Sequence, residues 1–218
     1  SPDSQRVAFL QLDERPVPTY SIVDHVPSTP TVEVGPYPRA GEPNPIVRLG
    51  VVAATGGNVS WSNLDAYPAA DRLIVDVSWH PDSRAVFTQV QNREQTWLDL
   101  VRVDAGTGRT TRVLRETTRA WVEPYGAPTW LADGTFLWVS ARSGYKHLYR
   151  IRPDGTVVGA VTSGAWEWRT LYGVDERRGV VYFSAGIRRH VDTDVFRIRL
   201  DRSELTRLTA TPGTHAAR

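Results

Sequence analysis

Four segments of the chain repeat one another. They read RLGVVAATGG (48–57), DLVRVDAGTG (99–108), LYRIRPDG (148–155) and VFRIRLDRSE (195–204). Each is an alternating strand that ends in a polar turn. With Val52, Val103, Ile151 and Ile198 taken as equivalent, the steps are 51, 48 and 47 residues. A repeat of this length is one supersecondary unit that must stack on its neighbours to bury its faces.

Turns followed by runs rich in Val, Phe and Trp precede these strands: SPDSQRVAFLQL, SWHPDSRAVFTQV, TWLADGTFLWVS and VDERRGVVYFSA. A further strand comes before the turn, as in RLIVDVSW (72–79). A last one follows: RTTRVLRE (109–116), TVVGAVTS (156–163) and ELTRLTAT (204–211). The unit is therefore four antiparallel strands in about 47 residues, which points to an all-β fold built of β-propeller blades. Helical spacing is nearly absent, and a β-sandwich, the main rival, rarely repeats in sequence. Four blades are expected, at about 1–66, 67–117, 118–165 and 166–218. The first is stretched by residues 15–45, in which eight of 31 positions are proline. A compact blade does not accommodate this insertion, so it is expected to project as an arm. PTYSIVDHV and TVEV alternate well enough to pair within it.

Composition removes several classes of function. No run of about 18 apolar residues exists, so no membrane-spanning helix is expected. The net charge is +2, and Lys146 is the only lysine among 26 basic residues. The arginines alternate with apolar residues, as in RIRL, and are read as solvated strand faces under a genomic codon bias. No nucleic-acid partner is expected. Without cysteine there is no disulfide, thiolate metal site or cysteine nucleophile. His25, His80, His147, His190 and His215 show no ligand spacing, so no metal and no cofactor are expected.

Catalytic motifs are missing as well. No Gly-x-Ser-x-Gly elbow occurs. AGTGRTT (105–111) lacks the Lys of a phosphate loop and reads as a hairpin turn. Asp13 and Glu14 are adjacent on a strand and point to opposite faces, so a structural role is expected. Trp79, Trp130 and Trp138 read as core between blades. Trp121 and Tyr125, in RAWVEPYGAP, fall in a crossing between blades and are the candidates for a ligand surface.

The stretches SPDSQRVAFLQLDERPVPTYSI, PYPRAGEPNPIVRLGVVAATGG, DGTFLWVSARSGYKHLYRI, TSGAWEW and LTRLTATPGTH together resemble the N-terminal β-propeller of dipeptidyl peptidase IV, in the prolyl oligopeptidase group of serine peptidases. The resemblance covers essentially the whole chain, and the arginine-rich, cysteine-free composition suggests a bacterial member. It implies half of an eight-bladed propeller, with a C-terminal α/β-hydrolase domain carrying a Ser-Asp-His triad beyond residue 218. It also implies that the glutamate pair holding the substrate amine lies before Ser1. Asp13 and Glu14 match a later DE-x-x-VP stretch instead. The arm corresponds to one through which such propellers dimerise, with Val17, Tyr20, Ile22, Val32, Val34 and Tyr37 as its candidates. WVEPY matches a loop that lends an aromatic and an arginine to the substrate cavity. Tyr125 is the aromatic, while Gly126 or Ala127 stands where the arginine would be. Ala141 stands where many relatives carry an acid.

The expected function is that of a non-catalytic propeller segment that walls and gates the chamber of an exopeptidase. The parent would release N-terminal dipeptides with proline or alanine second. The alternative is a free-standing propeller that binds a protein or peptide. His215–Arg218 reads as the first strand of a next blade, available to complete the blade that opens at Ser1. Four blades would then close alone, remain open or pair with a copy.

Overall fold

The computed structural model describes every residue except His190 and Arg218. Its described residues contain no helix, and 17 strands form four antiparallel sheets and one separate hairpin. Contacts divide the chain into two compact units, residues 1–95 with 100–112 and residues 96–99 with 113–218.

In the first sheet, β1 (Arg6–Asp13) pairs with β4 (Ile46–Ala53), from Arg6↔Ala53 to Asp13↔Ile46, and β5 (Ser60–Trp61) follows β4. This sheet has three strands rather than four. Near the other end of the chain, the His215 N–H donates to the Thr193 carbonyl at 2.7 Å, beside a parallel bridge from Thr193 to Thr214. Arg218, which completed the expected strand, lies outside the described residues.

The second sheet runs β6 (Arg72–Trp79), β7 (Ala85–Asn92), β8 (Trp97–Asp104) and β9 (Thr110–Thr117). The third runs β10 (Thr129–Trp130), β11 (Phe136–Ser140), β12 (His147–Ile151) and β13 (Val157–Ala160). The fourth runs β14 (Trp168–Asp175), β15 (Val180–Ala185), β16 (Asp194–Arg199) and β17 (Thr206–Arg207). β17 is far shorter than the 204–211 segment expected. Leu205 and Leu208 on either side of it remain exposed, so no burial rewards a longer ladder.

Within the second unit, Leu137 and Val139 of β11 and Leu148 of β12 lie on one face, as the register Val139↔Leu148 requires. They pack with Val181 and Phe183 of β15 and Phe196 and Ile198 of β16 into one buried cluster. Aromatic rings run through it: His147 meets Trp166 edge-on at 4.7 Å, Trp166 stacks on Phe183, and Phe183 stacks on Phe196 at 5.7 Å. His147 is buried because all its polar capacity is used. Its Nε2 lies 2.9 Å from the Gly164 carbonyl, which accepts only, so Nε2 carries the proton. Nδ1 then accepts from the Thr162 hydroxyl at 3.1 Å, and that oxygen accepts the Leu148 N–H at 2.9 Å.

The AGTGRTT segment is a hairpin turn between β8 and β9. The Asp104 carboxylate accepts from the Gly106 and Thr107 N–H groups and from the Thr107 hydroxyl. Gly108 follows at φ +72°, and a Cβ there would overlap the carbonyl oxygen of Trp61 in β5. The repeat-equivalent Gly155, at φ +88° between β12 and β13, meets the carbonyl oxygen of Val113 in β9 in the same way. In each case the turn abuts a backbone, so the glycine answers both a conformational and a steric demand.

Asp194, almost fully buried, ties β16 to the end of the fourth sheet. Its Oδ1 accepts from the Thr209 hydroxyl at 2.8 Å and from Arg207 Nη2 at 2.9 Å. Burial pushes this carboxyl up. The hydrogen bonds from Thr209 and Arg207 and the Arg207 charge outweigh burial and hold it below the ordinary aspartate value.

Two outcomes are expected. Gly155→Ala should cost about 2 kcal/mol or more in urea unfolding, because strain and overlap add. Gly134→Ala, at φ +81° with open space around it, should cost about 1 kcal/mol for strain alone; equal losses would show that the contact with Val113 is irrelevant. For Asp194, the depressed folded value means that its stabilisation is present above the unfolded aspartate range and lost as pH falls through the folded value. The stability gap between the native chain and Asp194→Asn should therefore be full at pH 6 and shrink below about pH 4. A gap that widens in acid contradicts the assignment.

Candidate functional site

Between β9 and β10 the chain crosses from residue 118 to residue 128 without regular structure. Pro124 and Pro128 withhold N–H groups from any ladder, so the crossing does not extend either strand. It forms one wall of a cavity of about 620 Å³. Trp121, Tyr125 and Val122 supply its apolar lining, while Glu116, Arg119, Ala141, Arg142 and Gly144 lie around them.

The rim is built from β11. Trp138 and Ser140 are two residues apart on that strand and so reach the same face. Both hold the Glu116 carboxylate: Trp138 Nε1 donates to Oε1 at 3.1 Å, and the Ser140 hydroxyl donates to Oε2 at 2.8 Å. Arg142 Nη2 completes the clamp at 2.5 Å from Oε1, and its Nε donates to Ser140 Oγ at 2.8 Å. The same guanidinium lies over the Tyr149 ring at 5.0 Å. Arg142 is thus fixed on three sides before any ligand arrives.

Lys146 anchors the crossing. Its Nζ lies 2.9 Å from Glu123 Oε2 and 5.0 Å from the centre of the Tyr125 ring. Its backbone N–H donates to Glu167 at 3.0 Å. The hydrogen bond and charge of Lys146 hold the Glu123 carboxyl below its ordinary value. Tyr125 is half-buried against the hydrophobic cluster of the second unit. Burial, and then the carboxylates of Glu123, Glu167 and Glu116, push its phenol up to about 12. Trp121, by contrast, is 65% exposed.

The sequence candidates Trp121 and Tyr125 therefore line one cavity, with different roles in it. Tyr125 is fixed in the wall, and Trp121 presents an exposed aromatic face. Glu116, Arg142 and Lys146 were missed, because an acid and two bases in ordinary strand and turn segments carry no motif. The position of the single lysine was the available signal. Trp138 is buried and bonded to Glu116, while Trp79 and Trp130 are half-buried. Asp13 serves its own turn, accepting from Arg15 Nε at 2.8 Å. Among the described residues no group of three His, Asp or Glu is placed to hold a metal ion. His25, His80, His147 and His215 are all absent from the cavity lining, and His190 lies outside the described residues.

The arm is an antiparallel hairpin, β2 (Thr19–Asp24) on β3 (Thr31–Pro36), paired from Thr19↔Pro36 to Asp24↔Thr31. Directly opposed residues share a face, so Val23, Val32 and Val34 lie on one side and Tyr20 and Ile22 on the other. All five are exposed. Tyr37, also exposed, meets the Tyr20 ring at 5.7 Å, and Arg39 lies over that ring. Val17 differs: only 7% exposed, it is buried within the chain. Val23, which the sequence reading passed over, belongs with Val32 and Val34.

A family model for the dipeptidyl peptidase IV N-terminal region matches residues 1–218. A probable dipeptidyl-aminopeptidase B from Uncinocarpus reesii is 32% identical over 93% of this chain and 25% of its own length. A probable dipeptidyl peptidase 4 from Aspergillus flavus is 26% identical over 84% of this chain and 26% of its own. The crystal structure of Porphyromonas gingivalis dipeptidyl peptidase 4 superimposes with a TM-score of 0.88 at 25% identity, covering 98% of this chain and 30% of that one. The chain thus spans between a quarter and a third of the length of these relatives, whose propeller fold it shares. It belongs to the dipeptidyl peptidase IV N-terminal region family.

Proposed function

We propose that this chain is a non-catalytic propeller segment of a dipeptidyl peptidase that releases N-terminal dipeptides with proline or alanine at the second position. The observation that carries the reading is the cavity at Trp121 and Tyr125, in a chain matched by this family from end to end. Its lining offers aromatic surface and fixed charge but no nucleophile beside a base. Such a site binds and orients a peptide. The chemistry then belongs to a C-terminal α/β-hydrolase domain of the parent, and the propeller walls and gates the chamber.

In this reading Tyr125 packs against the substrate backbone or an apolar side chain, and Trp121 covers it from the open side. The Lys146–Glu123 pair holds Tyr125 in place, and the arginine missing at Gly126 or Ala127 is not needed for that. The hairpin β2–β3 presents apolar side chains to a second copy, which gives a homodimer.

Three measurements test this. The 218-residue chain should release no chromophore from a Gly-Pro anilide, and turnover above the blank would contradict a non-catalytic role. In the full-length parent, Tyr125→Ala should raise KM about tenfold and change kcat little, the signature of lost uniform binding. A fall in kcat at unchanged KM would place Tyr125 in the chemical step instead. Because the phenol stays neutral until about pH 12, Tyr125→Phe should leave the pH profile between 7 and 10 unmoved.

A further inference from the structure

The arginines of this chain are not evenly neutralised. Most charged pairs on the described surface are close. Arg115 grips buried Asp99 with two bonds of 2.6 and 2.8 Å, while Arg150 pairs with Asp133 and Arg39 with Glu42. The end of the fourth sheet at the β14–β15 turn is different. A cavity of about 320 Å³ there is lined by Arg177, Arg178, Arg197 and Arg199, with Glu204 as its one carboxylate.

The backbone fixes this grouping. Arg197 and Arg199 are two residues apart on β16, opposite Tyr182 and Val180 of β15, and so point to one face. That face is turned away from the buried cluster, which takes Phe196 and Ile198 from the same strand. Arg177 and Arg178 come from the β14–β15 turn. The turn is closed by the Gly179 N–H to Glu176 and by the Arg178 N–H to the Asp175 carboxylate at 3.1 Å. The Leu200 N–H then donates to the Gly179 carbonyl at 2.8 Å, which pins the end of β16 to the turn.

Two nearby acids pair loosely with two of these arginines. Asp175 to Arg178 and Asp201 to Arg199 are both 3.7 Å. Asp201 is shared with the Ser203 N–H and hydroxyl, from which it also accepts, and Glu176 accepts the Ala132 N–H at 2.6 Å. Four arginines line this one cavity, and an anion there can accept hydrogen bonds from several guanidinium forks at once.

We propose that this cavity is an anion site for a phosphate-type oxyanion, free or as a small phosphomonoester. Tetrahedral oxygens take paired N–H donors from more than one guanidinium, which chloride cannot do. The cavity is larger than one such group needs, so an ester substituent has room beside Val180. The site lies outside the residues of the peptide cavity and does not depend on the reading given for it.

The test is calorimetric titration of the 218-residue chain with inorganic phosphate, and separately with glycerol 2-phosphate, at constant ionic strength set with sodium chloride. Saturable binding of either probe, weakened at least about tenfold in Arg177→Gln/Arg197→Gln and unchanged in Arg152→Gln, an exposed arginine that lines neither cavity, supports the site. Binding by inorganic phosphate alone assigns it to the free anion, and binding by both assigns it to the ester as well. Phosphate should also raise the melting temperature of the native chain and not of the double variant. No saturable binding, or binding equal in all three chains, overturns the proposal.

Discussion

A sheet buried on both faces leaves its polar side chains nowhere to go but to each other, and the second unit is organised around that condition. All five residues of β11 are buried. Leu137 and Val139 enter the cluster shared with β15 and β16, while Trp138 and Ser140 face the other way. The second face is not apolar, so each polar group on it must be met inside the protein. Glu116 does this for Trp138 and Ser140, and Thr162 with Gly164 does it for His147 on the neighbouring strand. The hydrogen bonds that make the sheet tolerable to bury are therefore the ones that fix its loops.

The cavity at Trp121 and Tyr125 follows from that condition. Glu116 needs a cation, and Arg142 answers from the loop after β11. Holding Arg142 holds the rim, and the 118–128 crossing must then pass around it. Lys146, four residues further on, draws Glu123 and Tyr125 inward against the core. Trp121 shares the Glu123 carboxylate but packs against no part of the core cluster, and it stays exposed while Tyr125 is half-buried. The difference between the two aromatics arises from the spacing of two ion pairs.

The repeat made the architecture legible, because strand turns recur at a nearly constant step and the turn chemistry recurs with them. Ser4, Ser83, Gly134 and Gly179 all take positive φ at the turns that precede β1, β7, β11 and β15. SPDS, HPDS, ADG and RRG thus give the same bend by different residues. What the sequence concealed was partnership across long separations. Nothing in the local pattern tells that Glu116 serves Trp138 22 positions later, or that Asp99 holds Arg115 across a strand pair. The same limit hid the arginine cavity. RIRL reads as a solvated face wherever it occurs, and only the turn at 176–179, folded against β16, turns two such arginines into four. Val17, a proline-flanked apolar residue that looks like arm, is buried within the chain, which its local sequence does not tell.

The proposed pairing of two chains through the arm carries a geometric condition. A two-stranded ribbon standing alone is marginal in water, and this one has no packed face. Its ladder and the Tyr20–Tyr37–Arg39 contacts give it shape, with Arg39 itself held by Glu42. Yet valines occupy one side and Tyr20 with Ile22 the other. A partner that covers only one side leaves the other in water, and the hydrophobic gain is then halved. Burying both sides requires the ribbon to lie in a groove or between two surfaces. A second copy meets that requirement if each arm reaches past the two-fold axis and is received by the other chain, rather than meeting its twin edge to edge. The alternation that let the arm be read as strands is thus also what rules out a flat, one-sided contact as its sole use.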